Sequence, residues 1–127
     1  MSFIFTDNSP FEWPVEISVP KEGGYTTVTI TGLFSQIGDD VFLAPPETVL
    51  TNSTAIDFEI DRLCKVFTGW KTGDVKDLAK AEIEPTPENI RKFLMYRPAR
   101  LAVLDAYQDA ITPKKGYRAK NSAPLPS

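Results

Sequence analysis

Along the first quarter of the chain, apolar and polar positions alternate. In "EWPVEISVP", Trp13, Val15, Ile17 and Val19 are separated by glutamate, serine and proline, and Pro14 and Pro20 bracket the run. A period of two puts one set of side chains on one face, so the stretch predicts a strand with a single buried side. "KEGGY" follows, with Gly23 and Gly24 suited to a tight turn, and "YTTVTITGLF" returns in β-branched and aromatic residues. The pair predicts an antiparallel hairpin. "QIGDDVFLAPP" then predicts a turn at Gly38, Asp39 and Asp40 and a short third strand from Val41 to Ala44, stopped by Pro45 and Pro46.

The period then lengthens. After "TNST" at 51–54, which offers several N-caps, Ile56, Ile60, Leu63, Phe67 and Trp70 recur at steps of four, three, four and three. This is the stripe of an amphipathic helix. Gly69 and Gly73 make "GWKTG" its C-terminal end and exit turn, with Trp70 as a large buried or interfacial anchor. "EPTPENI" has the grammar of a second helix start: Thr86 as N-cap, Pro87 at the first helical position, Glu88 near the positive end of the dipole. Ile90, Phe93 and Leu94 form its inner face. Pro98 disfavours helical geometry at Arg97, so this helix ends near Tyr96 and "PARLAVLDAYQDAI" begins another at once. Its small face holds Ala99, Ala102 or Val103, Ala106 and Ala110, and Pro113 ends it.

These elements predict an α+β fold: an N-terminal antiparallel β-hairpin or three-stranded sheet, then a small bundle of about three helices, then a flexible C-terminal tail. Residues 1–112 form one domain, β-rich over 11–44 and helical over 53–112. Residues 113–127 form a basic tail, "KKGYRAKNSAPLPS" after Pro113, with four bases, no acids and too few apolar residues to fold alone.

Composition narrows the chemistry. The 127 residues are 42% apolar and 24% charged, as in a soluble globular domain, and no apolar run approaches the roughly 18 residues of a membrane span. The start, "MSFIFTDNSPFEWP", lacks the basic opening and sustained apolar stretch of a signal peptide, so a cytoplasmic protein is expected. The lone Cys64 has no intrachain disulfide partner. With no histidine and one cysteine, the usual zinc sites and the Ser/His or Cys/His nucleophile pairs cannot be built. Asp57, Glu59 and Asp61 run at spacing two, where a helix stacks only Asp57 over Asp61, so they read as a solvated face rather than a metal site. "FTGWKTGDV" sets a lysine and a threonine between glycines, but a phosphate loop needs four residues between its first glycine and a Gly-Lys-Ser/Thr ending. No enzymatic activity, cofactor or metal is expected.

Charge is divided unevenly. Residues 1–61 carry ten acids against the single base Lys21, and residues 62–127 carry thirteen bases against seven acids, so the halves stand at −9 and +6. That polarity favours attraction between the halves or head-to-tail association.

Several motifs also stand in a familiar order: a "WPV" strand, a "GGY" turn, Gly69 and Trp70, "TPENI", the helix "PARLAVLDAY", and a terminal Lys120 and Asn121. Over roughly residues 11–121 this order resembles the small tail assembly chaperones of long-tailed bacteriophages. In related chains the segment after the second strand is helical and charged, whereas "LFSQIGDDVFLAPP" here reads as extended. The resemblance implies a non-enzymatic protein of the bacterial cytoplasm that coats the tape measure protein, helps recruit tail-tube subunits and is absent from the mature virion. The charge division and the apolar helix faces carrying Phe93 and Leu101 in turn predict weak homo-oligomers, and the acidic net charge and lack of a long apolar run argue against a nucleic-acid or membrane partner.

The residues expected to meet a partner are Trp70, Phe93, Arg97, Arg100, Leu101, Tyr107, Lys120 and Asn121. Helix faces carrying Phe93, Leu94, Leu101 and Leu104 would supply an apolar groove, although a single apolar residue at helical spacing more often belongs to the core. Two other functions fit the sequence: a structural tail or connector subunit retained in the virion, and a small nucleic-acid-binding regulator using Arg91, Lys92, Arg97, Arg100 and the basic tail.

Overall fold

The computed structural model describes residues 9–42 and 52–112. The alternating segments form the predicted hairpin: β1 (Phe11–Lys21) pairs antiparallel with β2 (Gly24–Phe34), from Phe11 opposite Phe34 to Lys21 opposite Gly24. Gly23, with φ of 77°, takes the left-handed backbone that the two-residue turn requires. Val15, Ile17 and Ile30 point inward and are buried, while Glu12, Glu16 and Ser18 face solvent.

Two sequence expectations need correction in the middle of the chain. Val41 and Phe42 belong to a single helical turn, α1 (Asp39–Phe42), not to a third strand; Leu43 and Ala44 lie outside the described residues. The amide N–H groups of Val41 and Phe42 both donate to the carbonyl of Gly38 at 3.0 Å, and the turn buries Phe42 against Tyr107 with ring centroids 5.0 Å apart. The next helix, α2 (Asn52–Cys64), is shorter than its periodicity predicts. It closes in tight turns in which Lys65 N–H and Val66 N–H donate to the carbonyls of Arg62 and Leu63.

The chain then enters β3 (Phe67–Trp70), which pairs antiparallel with β2 and completes a sheet of order β1-β2-β3. Phe67 and Trp70 are therefore strand residues. They share the inner face because a bulge intervenes: Trp70 lies opposite Gly32, Gly69 opposite Leu33, and Phe67 opposite Phe34, with Thr68 as the extra residue. Ile60 and Leu63 of α2 join them in the core, but Ile56 stays 41% exposed.

α3 (Pro87–Met95) and α4 (Arg97–Ile111) form the two predicted helices, with one correction: Arg97, expected to be extended before Pro98, is the first residue of α4, and the extended break falls one residue earlier at Tyr96. The Thr86 hydroxyl accepts from Asn89 N–H at 3.2 Å, the predicted N-cap bond. α4 packs across β1, burying Ala99, Ala102, Val103 and Ala106, whose small side chains bring the helix close to the sheet. The result is an α+β architecture with a core of Val15, Phe34, Leu63, Phe67, Trp70, Leu94, Val103 and Tyr107 between sheet and helices. Of the N-caps that the sequence offers at 51–54, Asn52, Ser53 and Thr54 lie within α2, and Thr51 and the tail beyond Thr112 fall outside the described residues.

Candidate partner-binding surface

The α3–α4 corner is built on one residue. Tyr96 ends α3 and begins α4 in an extended conformation (φ −78°, ψ 113°), its N–H donating to Phe93 O at 3.2 Å and its carbonyl accepting from Arg100 N–H at 3.0 Å. Pro98, at the start of α4, has no N–H to leave unsatisfied there. The last carbonyls of α3 need donors, and Arg100 supplies them: its Nη1 donates to Leu94 O at 3.1 Å and makes a longer contact with Met95 O at 3.5 Å. Its positive charge also sits at the negative end of the α3 dipole.

With Arg100 turned inward, the corner shows apolar groups to solvent. Met95 is 67% exposed, Tyr96 48% and Leu101 52%. Arg97 is exposed four residues before Leu101 on the same helical face. The corner is thus apolar with a basic member.

A second apolar projection lies between β3 and α3. Val75 and Ile83, both half-buried against the core, are joined by Ile83 N–H donating to Val75 O at 2.9 Å. Beyond them, Lys76 and Glu82 form a bridge, and Asp77 ties the tip. Its Oδ1 accepts from Ala79 N–H at 2.9 Å and from Ala81 N–H at 3.0 Å, and its carbonyl accepts from Lys80 N–H at 2.9 Å. Lys80 closes the turn at φ of 64°. This ordered tip holds Leu78 fully out in solvent.

The residues expected from sequence to meet a partner divide sharply. Arg97 and Leu101 are on the exposed corner. Phe93 is half-buried, stacked on Phe67 at 5.8 Å and tilted against Trp70 at 5.1 Å. Trp70, Arg100 and Tyr107 are buried: Trp70 donates through Nε1 to Ile83 O at 2.9 Å, and the Tyr107 hydroxyl accepts from Ile37 N–H at 3.4 Å. Their side chains serve the fold and do not reach the surface. Lys120 and Asn121 lie outside the described residues. No sequence pattern marks Met95 or Tyr96 as exposed. For Leu78 a signal existed in "KDLAK", where one leucine stands among charged residues and an aspartate two positions before Ala79 suits a side-chain-closed turn.

Electrostatics here is mostly local. The acids of the first half meet bases of the second in the pairs Glu12–Lys71 (3.6 Å), Asp61–Arg91 and Glu59–Arg62 (2.6 Å). Attraction between the halves is thus realised within the chain, through exposed or half-exposed pairs of small individual worth. Asp61 raises the pKa of Arg91 chiefly through their hydrogen bond. Burial pushes the Cys64 thiol up, against the opposing charge of Arg91. Among the described residues no cluster of His, Cys, Asp or Glu is arranged to hold a metal ion, and no helix is long and apolar enough to cross a membrane.

Comparison with known protein families, curated proteins and solved structures finds no match to this chain.

Proposed function

We propose that the chain is a non-enzymatic tail assembly chaperone of a long-tailed bacteriophage, acting in the host cytoplasm and leaving before the virion is complete. On this reading it binds the tape measure protein, recruits tail-tube subunits and self-associates weakly. The ordered set of sequence motifs supports the assignment, from the "WPV" strand to "PARLAVLDAY". The structural observation that bears on it most directly is the corner at which Met95, Tyr96 and Leu101 are exposed beside Arg97. A chaperone that holds a long amphipathic helix needs apolar side chains that its own core does not use, with charge nearby to set orientation. Such a surface is small enough to release its client once the tube assembles around it.

The test is binding of the purified chain to a tape measure protein from the same phage, measured by calorimetry for the wild type and for Leu101→Glu and Tyr96→Ala. Binding weakened at least about tenfold by either substitution supports the reading, since a central apolar anchor is worth a large share of such an interface. Absence of binding, or presence of the chain in purified virions, overturns it. Retention in virions would instead indicate a structural tail subunit.

A further inference from the structure

The two edges of the hairpin differ in a way that the fold does not require. In the β1–β2 register, Pro14 lies opposite Thr31 and Pro20 opposite Tyr25. Thr31 turns its backbone away from β1: its carbonyl accepts from Lys71 N–H at 3.0 Å, and its N–H donates to Asp74 Oδ2 at 2.6 Å. Alternation along an antiparallel pair then fixes the rest. Residues 12, 14, 16, 18 and 20 of β1 direct their backbone groups to the outer edge of that strand. Two of these positions are prolines with no N–H to offer, and two are glutamates. The outer edge of β1 is therefore closed to a further strand.

On β2 the outward residues are Tyr25, Thr27, Thr29, Thr31 and Leu33. β3 and its following turn cover only the lower part: Leu33 lies opposite Gly69, its carbonyl also accepting from the Thr68 hydroxyl at 3.1 Å, and Thr31 is taken by Lys71 and Asp74. Tyr25, Thr27 and Thr29 have no backbone partner among the described residues, and all three are exposed. Residues 25–34 contain no charge and no proline, the two usual guards of an edge.

We propose that this open edge of β2 pairs antiparallel with the same edge of a second copy of the chain, about a two-fold axis at Thr27. In that register Thr27 faces its own counterpart, and Tyr25 of each copy lies opposite Thr29 of the other. All three outward residues of both copies are paired, giving about six backbone hydrogen bonds. The outer-face row becomes Tyr25-Thr27-Thr29 against its reverse, a threonine pair at the centre flanked by aromatic-to-β-branched contacts, both favoured across strands. A second copy is the occupant that the edge itself specifies, because an isologous contact must be self-complementary and an uncharged row is compatible with its own reverse. The hairpin tip of each copy falls beside Asp74 of the other, where Gly23 and Gly24 bring no side chain; neither has any atom within 4 Å of where a Cβ would stand. Edge pairing over about five residues is at the small end of interface sizes, so the dimer is weak and reversible.

This inference deepens the weak self-association included in the proposed function by naming its surface. Its test reads dimerisation of the full chain alone, whereas the test of the proposed function reads client binding, so failure of one is distinguishable from failure of the other. Sedimentation velocity from about 1 μM to about 1 mM is expected to show a monomer–dimer equilibrium, the range suited to a small interface. Because the paired row Tyr25-Thr27-Thr29 is uncharged, raising salt to 1 M, where the Debye length is about 3 Å, should not dissociate it. Thr27→Pro removes an N–H that has no backbone partner among the described residues, and Thr27→Lys places like charges directly opposite one another at the two-fold axis. Both should leave the thermal melt of the dilute protein near that of the wild type and abolish the dimer. Thr27→Cys in a Cys64→Ser background should give a disulfide-linked dimer under mild oxidation, since the two Thr27 Cα atoms would sit about 5.5 Å apart. A chain monomeric throughout, a dimer that survives both Thr27→Pro and Thr27→Lys, or one that dissociates in salt overturns the proposal.

Discussion

The indole N–H of Trp70 donates to the carbonyl oxygen of Ile83 at 2.9 Å, tying the end of β3 to the segment that leads into α3. The ring is 2% exposed and touches Phe67 and Phe93. One residue thus fastens sheet, connecting loop and helix together. Trp70→Ala should destabilise the fold by about 3–5 kcal/mol, the cost of removing a buried large aromatic, and Trp70→Phe by about 1–3 kcal/mol, chiefly from the unpaired carbonyl left behind. Urea denaturation measures both. A loss below about 1 kcal/mol for the alanine variant would contradict the burial described.

Gly69 should accept no side chain. Its φ is 146°, and an added Cβ would stand 2.8 Å from Pro85 Cβ. Gly69→Ala should cost roughly 2–4 kcal/mol, combining backbone strain with overpacking. Gly24→Ala, with open space around it, is the matched control and should stay within about 1 kcal/mol. Thermal melts of the two variants decide this, and equal midpoints would show that the bulge can relax.

Arg100 and Leu101 are neighbours with opposite roles. Arg100→Met removes the donors to Leu94 O and Met95 O and should destabilise by about 1–3 kcal/mol, with little change in any binding measured on the folded protein. Leu101→Ala should change stability by about 0.5 kcal/mol or less, because the side chain is half exposed. If the corner binds a partner, Leu101→Ala weakens that binding instead. Denaturation and partner titration, run together, separate the two.

Cys64 should react slowly with alkylating reagents. Burial raises its pKa, so at neutral pH less of it is thiolate, the reactive form, than in an open chain. Modification by iodoacetamide in the native state should run several-fold slower than in urea. The folded thiol holds its proton to higher pH than the unfolded one. The contribution is complete below the ordinary thiol range and is lost as pH rises through it towards the folded value. Equal rates in both states would show that Cys64 is open to solvent.

The hairpin, α3 and α4 were legible from sequence because their signals are local. Alternation over "EWPVEISVP", two glycines in a turn, Thr86 followed by Pro87, and Pro98 after Arg97 each act within a few residues of themselves. The sequence also separated the small-residue face of α4 from its exposed side without reference to what that face meets.

β3 was not legible, and the reason is the bulge. A step of three between Phe67 and Trp70 continues the spacing of Ile60 and Leu63, and in a regular strand it would put the two rings on opposite faces. Thr68, inserted between the residues paired with Phe34 and Leu33, resets the phase and returns both to the core. Pairing with β2 outweighs the local helical period there, since Phe67 and Trp70 gain the same burial on the sheet and Gly69 is poorly suited to a helix interior. The short turn at Val41 and Phe42 is decided in the same way, by the place that Tyr107 offers the Phe42 ring.

Periodicity also cannot say whether an aromatic faces a partner or its own fold. For Trp70 the sequence leaves core and interface both open, and the structure puts it in the core; Tyr107, expected at a partner surface, is also core, while Met95 and Leu78, which no apolar periodicity marks, are exposed. The sequence by itself determined which segments could become strand or helix, because those preferences are properties of a few adjacent residues. The tertiary structure alone decided which apolar groups had somewhere to be buried, because burial depends on residues far away in the chain arriving at the same place.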